Sequence, residues 1–157
     1  AGLPESAKKL FKAAAKAKGQ EGWRITLQAP SYVPVMTYAE NRPLRETLYK
    51  AFTNRANGGP FDNRDLIVRT LALRRERAAL LGYRTHADFV LEPRMVGSAE
   101  RALRFVKGLT ESTRPYWNEE VAALEAFAKT LGLDDLGPWD VNFVAERLRQ
   151  RDYDFDE

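Results

Sequence analysis

Apolar residues recur at steps of three and four along most of this chain, which is the spacing of one face of an α-helix. The first such stretch covers residues 4–18, and lysines spaced by four occupy its opposite face. Later stretches cover residues 43–55, 63–81, 98–131 and 139–150. This pattern predicts a mainly α fold, in which the helices form one bundle-like segment or domain over residues 1–157.

One short stretch departs from the helical spacing. In residues 23–28, Trp23, Ile25 and Leu27 alternate with polar residues, which is the period-two signature of a β-strand. A single strand cannot satisfy the hydrogen-bonding groups of its own backbone. We nevertheless expect one short strand here, beside an otherwise helical chain.

Glycine and proline mark the ends and bends of the predicted helices. Gly19 and Gly82 each follow a helical stretch, where a residue in the left-handed conformation commonly ends a helix. The "NGGP" at 57–60 predicts a turn between two helices. Within the long stretch 98–131, Pro115 predicts a bend, because proline removes one backbone hydrogen bond and clashes with the preceding turn.

The only histidine of the chain, His86, lies in the segment "THADFVL". Thr85 and Asp88 in this segment have the spacing of a capping box, with Asp in place of the usual Glu. The segment therefore predicts the start of a short helix. This favours a structural position for His86 over a catalytic or metal-binding one.

Composition limits the kinds of protein this chain can be. Its 157 residues are 44% hydrophobic, which is enough for one ordinary domain with a core. No cysteine is present, which excludes disulfides, thiolate zinc sites and cysteine nucleophiles and fits a reducing compartment. No apolar run approaches the roughly 18 residues that a membrane span needs, and no signal pattern is present. We therefore expect a cytoplasmic protein without a membrane partner.

Metal sites find little support in the sequence. A zinc hydrolase needs several converging ligands, usually with histidines one helical turn apart, and this chain has one histidine. Asp152, Asp154 and Asp156 alternate as at the start of a calcium loop, but the turn glycine and the distal glutamate of such a loop are missing. An acidic, solvated tail is the better interpretation.

Arginines are concentrated in the predicted helix 63–81 and just after it. With Lys+Arg 25 against Asp+Glu 22, the whole chain has a formal charge of only +3. The arginines are spread around the helix without an aromatic stacking platform, so the pattern favours solvated or ion-paired side chains over nucleic-acid binding. These arginines are Arg64, Arg69, Arg74, Arg75, Arg77 and Arg84.

Three blocks of the chain resemble, in order, an internal segment of the oligopeptidase A and thimet oligopeptidase family of zinc metallopeptidases. They read "PSYVPVMTYAENRPLRETLYKAFTNRA", "LALRRERAALLGYRTHADFVLEPRMVGSAERALRFV" and "PWDVNFVAERLRQRDYDFDE". The resemblance extends along essentially the whole chain. None of the three blocks is a catalytic signature.

The resemblance implies a fold and an activity for a longer protein. Members of this family are several times longer, form a largely helical clamshell around a narrow channel, and cleave short peptides with zinc held by a HExxH helix and a further glutamate. Those ligands lie downstream of the part that this chain resembles. We therefore expect no catalytic residue, no cofactor-binding residue and no metal ligand in this chain, with zinc belonging to the parent family.

The expected role is that of a segment of a zinc oligopeptidase that supplies scaffold and channel wall and is inactive alone. The expected partners are the remaining segments of the parent peptidase or a second copy of the chain, together with short peptides. The abrupt end after Glu157 suggests a fragment, a truncated gene or one piece of a split enzyme. The alternative is a free-standing helical module that binds peptides or nucleic acid and has lost the peptidase chemistry. A basic nucleic-acid binder unrelated to peptidases is the weakest candidate.

Overall fold

The computed structural model describes residues 1–153, and these contain seven α-helices. The mainly α fold predicted from the sequence is confirmed. No helix in this range is both long enough and apolar enough to cross a membrane. The helices are α1 (Glu5–Lys16), α2 (Ala29–Tyr38), α3 (Arg42–Thr53), α4 (Arg64–Leu80), α5 (His86–Leu91), α6 (Ala99–Thr130) and α7 (Val141–Tyr153), with a 3₁₀ turn at Gly59–Phe61.

The chain divides into two compact units. The first comprises residues 1–55 and the chain from Glu120 onward, and the second comprises residues 56–119. Helix α6 begins in the second unit and ends in the first. That the chain behaves as a single domain stays a prediction.

Helix α2 lies at the centre of the first unit, where it packs against α1, α3 and α7. The core of this unit joins Phe11 of α1, Val35 and Met36 of α2, and Leu48 of α3, all buried. Because α1, α3 and α7 all pack against α2, its buried side chains form the centre of the apolar core of this unit.

The sequence pattern did not predict α2, because two prolines lie close together in it. Pro30 is tolerated in the first turn, where the amide has no helical partner in any case. Pro34 lies further inside and removes one backbone hydrogen bond. Val35 and Met36, which follow it, are fully buried, and burial of this apolar area offsets the lost bond.

The predicted strand at residues 23–28 is wrong, since the described residues contain no β-strand. Two backbone amides of this loop donate to groups on α1 and α2 instead of to a neighbouring strand. The Arg24 amide donates to the Phe11 carbonyl at 3.0 Å, and the Thr26 amide donates to the Ser31 hydroxyl at 2.9 Å. The alternation of apolar and polar residues arises because Ile25 and Leu27 of this loop pack against the core.

The second unit follows the predicted helix boundaries closely. Gly82 adopts a left-handed φ of 81° after α4, as predicted for a helix end, and the predicted turn at 57–60 overlaps the 3₁₀ turn. The Asp88 amide donates to the Thr85 hydroxyl at 3.1 Å and starts α5, which confirms the predicted helix start. Pro115 lies inside α6, and the helix continues past it.

The central packing around α2 generates a first prediction. Replacing Phe11, which is 1% exposed, by Ala removes a whole ring from the core, and we expect the free energy of unfolding to fall by about 3–5 kcal/mol. Leu10 on the same helix is 43% exposed, and we expect Leu10→Ala to cost much less. Urea unfolding of both variants followed by circular dichroism provides the measurement. Equal losses in the two variants would contradict the described core.

Candidate functional site

The most completely buried polar group of the described chain is the carboxylate of Asp140, just before α7. Its side chain has no solvent-exposed area. One oxygen accepts from the Arg45 guanidinium at 2.6 Å, and the other accepts from Arg42 at 2.9 Å. The Gly137 amide donates to this second oxygen at 3.1 Å. Asp140 is therefore held by charge-assisted bonds from both arginines and by one backbone amide.

Arg45 is almost as deeply buried as Asp140, with 1% of its surface exposed. Besides its bond to Asp140, its guanidinium donates to the Ala39 carbonyl at 2.5 Å and to the Trp139 carbonyl at 3.2 Å. The guanidinium carbon of Arg45, Cζ, lies 4.1 Å from the centroid of the Phe143 ring. All three nitrogens of Arg45 are thus used within the protein, an arrangement that the single ammonium of a lysine cannot reproduce.

Local sequence brings these groups together. Asn41 caps α3 by accepting from the Leu44 amide at 3.0 Å, and this fixes the first turn of the helix. Arg42 and Arg45 are three residues apart on that helix, so both reach the same side.

On the other side of the ion cluster, residue 137 must be small. A Cβ atom added to Gly137 would lie 2.5 Å from the Trp139 ring. A larger residue there would displace either the indole or the Gly137 backbone, whose amide donates to Asp140.

The electrostatics of the cluster keep Asp140 ionised. Burial alone would raise the pKa of its carboxyl, but the hydrogen bonds from Arg42, Arg45 and Gly137 outweigh burial and hold the pKa below its ordinary value. A carboxylate of this kind does not exchange protons near neutral pH. The cluster therefore fastens α3 to the start of α7 and is not suited to general acid or base catalysis.

Zinc does not fit the residues that the structure describes. Nowhere in residues 1–153 do three His, Asp or Glu side chains converge as a metal site requires. The Nδ1 atom of His86 is buried without a hydrogen-bond partner, and its ring lies 6.1 Å from that of Phe89. Asp152 pairs with the neighbouring Arg151 at 2.6 Å, while Asp154 and Asp156 lie outside the described residues.

The arginines of the predicted helix 63–81 have varied surroundings. Arg64 pairs with Asp62, Arg84 lies 3.8 Å from Asp88, and the Arg77 guanidinium stacks 4.7 Å from the Phe89 ring centroid. The remaining members of this set are exposed on the surface of α4. They are Arg69, Arg74 and Arg75.

The second unit exposes much of the apolar surface that the sequence pattern indicates. Of the predicted apolar face of helix 63–81, only Ala78 is buried. Its other members are about half exposed or more: Leu66, Ile67, Leu71 and Leu81. The first half of α6 likewise exposes Phe105 and Trp117, at 67% and 64%. Exposed apolar surfaces of this size are uncommon on monomeric proteins.

The ion cluster generates a second prediction, which concerns pH. Folding lowers the pKa of Asp140, so the ionised carboxylate stabilises the folded state. This stabilisation is fully present at pH values above the ordinary aspartate pKa of 3.8 and is lost as the pH falls below that value. We expect Asp140→Asn to lower the free energy of unfolding at pH 7 by about 3 kcal/mol or more, since it leaves Arg45 buried without a counter-charge.

The difference between wild type and Asp140→Asn should shrink as the pH falls from about 4 towards 2. Denaturant unfolding at a series of pH values measures it. Glu100→Gln is a matched control, because the Glu100–Arg104 pair is exposed on the surface and should matter little. A difference between wild type and Asp140→Asn that is independent of pH would contradict the assigned ionisation.

Known proteins resemble this chain along nearly all of its length. Residues 35–157 match the model of peptidase family M3. Oligopeptidase A of Escherichia coli is 43% identical over 159 residues, which cover 98% of this chain and 23% of that protein. A probable cytosolic oligopeptidase A of Arabidopsis thaliana is 42% identical over 166 residues, which cover 99% of this chain and 24% of that protein.

A more distant relative is the dipeptidyl carboxypeptidase of Escherichia coli, which is 31% identical over 160 residues, covering 100% of this chain and 24% of the relative. The chain therefore spans about a quarter of the length of these relatives. The family match covers most of the chain and agrees with the helical fold and with the resemblance carried by the three sequence blocks. The chain belongs to peptidase family M3.

Proposed function

We propose that this chain forms part of the helical scaffold of a zinc-dependent oligopeptidase and is not catalytic by itself. The ion cluster of Arg42, Arg45 and Asp140 is the observation that supports this most directly. The charged groups of the cluster are buried or paired with one another. The lowered pKa of Asp140 keeps its carboxyl ionised near neutral pH. Such a cluster holds helices in place and leaves no group free for peptide hydrolysis.

The catalytic chemistry of the proposed enzyme belongs to sequence outside this chain. Zinc, where the family binds it, would polarise a peptide carbonyl and activate water. The described residues do not assemble ligands for it, so no step of hydrolysis is assigned to them. What this chain contributes is the fixed position of its helices.

We also propose that part of the chain lines the channel through which peptides reach the catalytic site. The exposed arginines of α4, such as Arg74 and Arg75, support this role. Guanidinium groups bind carboxylates and carbonyl oxygens, which are the groups that short peptides present. Short peptides are therefore the proposed substrates of the whole enzyme.

The free-standing binding module is less well supported than the scaffold. A module that works alone buries its large apolar side chains, whereas residues of α4 and α6 remain broadly exposed here. The proposed location is the cytoplasm, in keeping with the absence of cysteine and with the name of the cytosolic plant relative.

A graft tests the scaffold proposal. The matching segment of Escherichia coli oligopeptidase A would be replaced by residues 1–157, since the two are 43% identical over 159 residues. We expect the graft to cleave a quenched fluorescent oligopeptide and to lose this activity when a chelator removes zinc. The chain alone should leave the same peptide uncut, with or without added zinc.

Asp140→Asn in the graft serves as a matched variant. It should lower thermal stability while the chelator dependence of the remaining activity stays unchanged, because Asp140 is proposed to position helices and not to react. A graft that folds with a single thermal transition but cleaves no peptide would contradict the proposal. Chelator-insensitive cleavage by the chain alone would contradict it as well.

A further inference from the structure

Most of the apolar surface of α4 is uncovered. Helix α5 packs against α4 near its C-terminal end, where Ala78 is buried and the Arg77 guanidinium stacks on the Phe89 ring. Exposing large apolar groups to water is unfavourable, and surfaces of this kind favour association. Seven such side chains of α4 and the residue after it are between 52% and 88% exposed: Leu66, Ile67, Val68, Leu71, Leu73, Leu80 and Leu81.

The N-terminal half of α4 carries a groove with a volume of about 390 Å³. Its lining residues occupy positions i, i+3, i+4, i+7, i+8 and i+11, which lie on one side of a helix. Three of them are large and apolar. In chain order, the lining residues are Asn63, Leu66, Ile67, Thr70, Leu71 and Arg74.

The accessible surface of the chain is large for its mass. It amounts to 11937 Å² for 17.9 kDa. Two separate compact domains with the sizes of the two units would together expose about 9,600 Å². The excess of roughly 2,300 Å² is more than the ~800 Å² that each partner of a stable dimer buries. The chain therefore has enough uncovered surface for a stable contact with a second copy.

The groove residues match one another in an antiparallel pair of α4 helices. We consider a twofold axis that passes beside α4, midway between residues 68 and 69. Leu66 then lies opposite Leu71 of the second copy, and the reverse contact repeats on the other side of the axis. Ile67 lies opposite Thr70 in the same way. The Thr70 hydroxyl already donates to the Leu66 carbonyl at 2.7 Å, so it requires no partner from the second copy when it is covered.

The charges at the two ends of α4 favour this antiparallel arrangement over a parallel one. Residues 62–65 contain two aspartates and one arginine, and residues 74–77 contain three arginines and one glutamate. In an antiparallel pair, the acidic end of each helix meets the basic end of the other, and Arg74 lies opposite Asn63. In a parallel pair, Arg74 would lie opposite Arg74 of the second copy, where the two like charges repel.

We propose that the groove face of α4 is the interface through which two copies of this chain form an antiparallel, twofold-symmetric dimer. Three observations identify a second copy as the occupant: the uncovered area, the matching apolar positions and the complementary charges of the two helix ends. In a solution of the purified chain, a second copy is also the one protein surface that is available to cover the groove. The dimer concerns the 157-residue chain by itself and goes beyond the scaffold role.

Sedimentation equilibrium of the purified chain tests the dimer. We expect a mass of about twice 17.9 kDa, and we expect Ile67→Glu to weaken dimerisation roughly a hundredfold or more, because it buries one carboxylate from each copy in an apolar contact. Val68→Glu is a matched control. Val68 is 67% exposed and lies about 100° further around the helix, outside the groove, so this variant should dimerise like the wild type.

A chain that stays monomeric at roughly 100 μM would overturn the proposal, because a specific dimer with a micromolar dissociation constant is populated there. Equal weakening by Ile67→Glu and Val68→Glu would overturn it as well. Phe105→Glu changes a side chain of α6 that is 67% exposed. Loss of the dimer in Phe105→Glu, together with its retention in Ile67→Glu, would assign the contact to α6. Circular dichroism of each variant separates a lost interface from a lost fold.

Disulfide cross-linking tests the register without a charged substitution, because the chain has no native cysteine. A disulfide requires Cα atoms about 4.4–6.8 Å apart, and positions 66 and 71 lie opposite each other in the antiparallel pair. Oxidation of a mixture of Leu66→Cys and Leu71→Cys chains should therefore give cross-linked heterodimers, whereas each variant alone should give little product. Failure of the mixture to cross-link would contradict the proposed pairing. Efficient cross-linking of Leu66→Cys with itself would indicate a parallel pair and would also contradict it.

Discussion

The buried ion pair between Arg45 and Asp140 is the interaction on which the first unit depends. Both side chains are almost completely removed from solvent, so each requires the other as a counter-charge. Their bond joins α3 to the start of α7 across 95 positions of sequence. Any arrangement of these two helices that separates the pair leaves a charge in an apolar interior. This penalty selects one arrangement of the helices, while the apolar core around α2 provides most of the favourable free energy.

The two units differ in what keeps their helices in place. In the first unit, α2 is enclosed by three helices and its residues Val35 and Met36 are buried. In the second unit, α4 packs on α5, and large apolar side chains of α4 and α6 remain exposed. A segment of a larger peptidase is expected to show this contrast, because part of its core is completed by other segments.

The sequence predicted those helices whose local signals agree. Periodicity, the Thr85 cap and the glycine at position 82 all indicate helix boundaries that the structure contains. It failed at α2, where the prolines oppose a helix that tertiary burial stabilises, and at residues 23–28, where core contacts of a loop resemble a strand. The ion cluster left no local signal, since Arg45 and Asp140 are far apart in the chain.

The coupling free energy between Arg45 and Asp140 tests this account most directly. It is obtained from a double-mutant cycle with Arg45→Met, Asp140→Leu and the double variant, by denaturant unfolding at neutral pH. If the pair is required as described, each single variant loses about 3 kcal/mol or more, and the double variant is more stable than the sum of the two losses implies. Losses that add to within about 0.5 kcal/mol would show that the two charges act independently and would contradict the account.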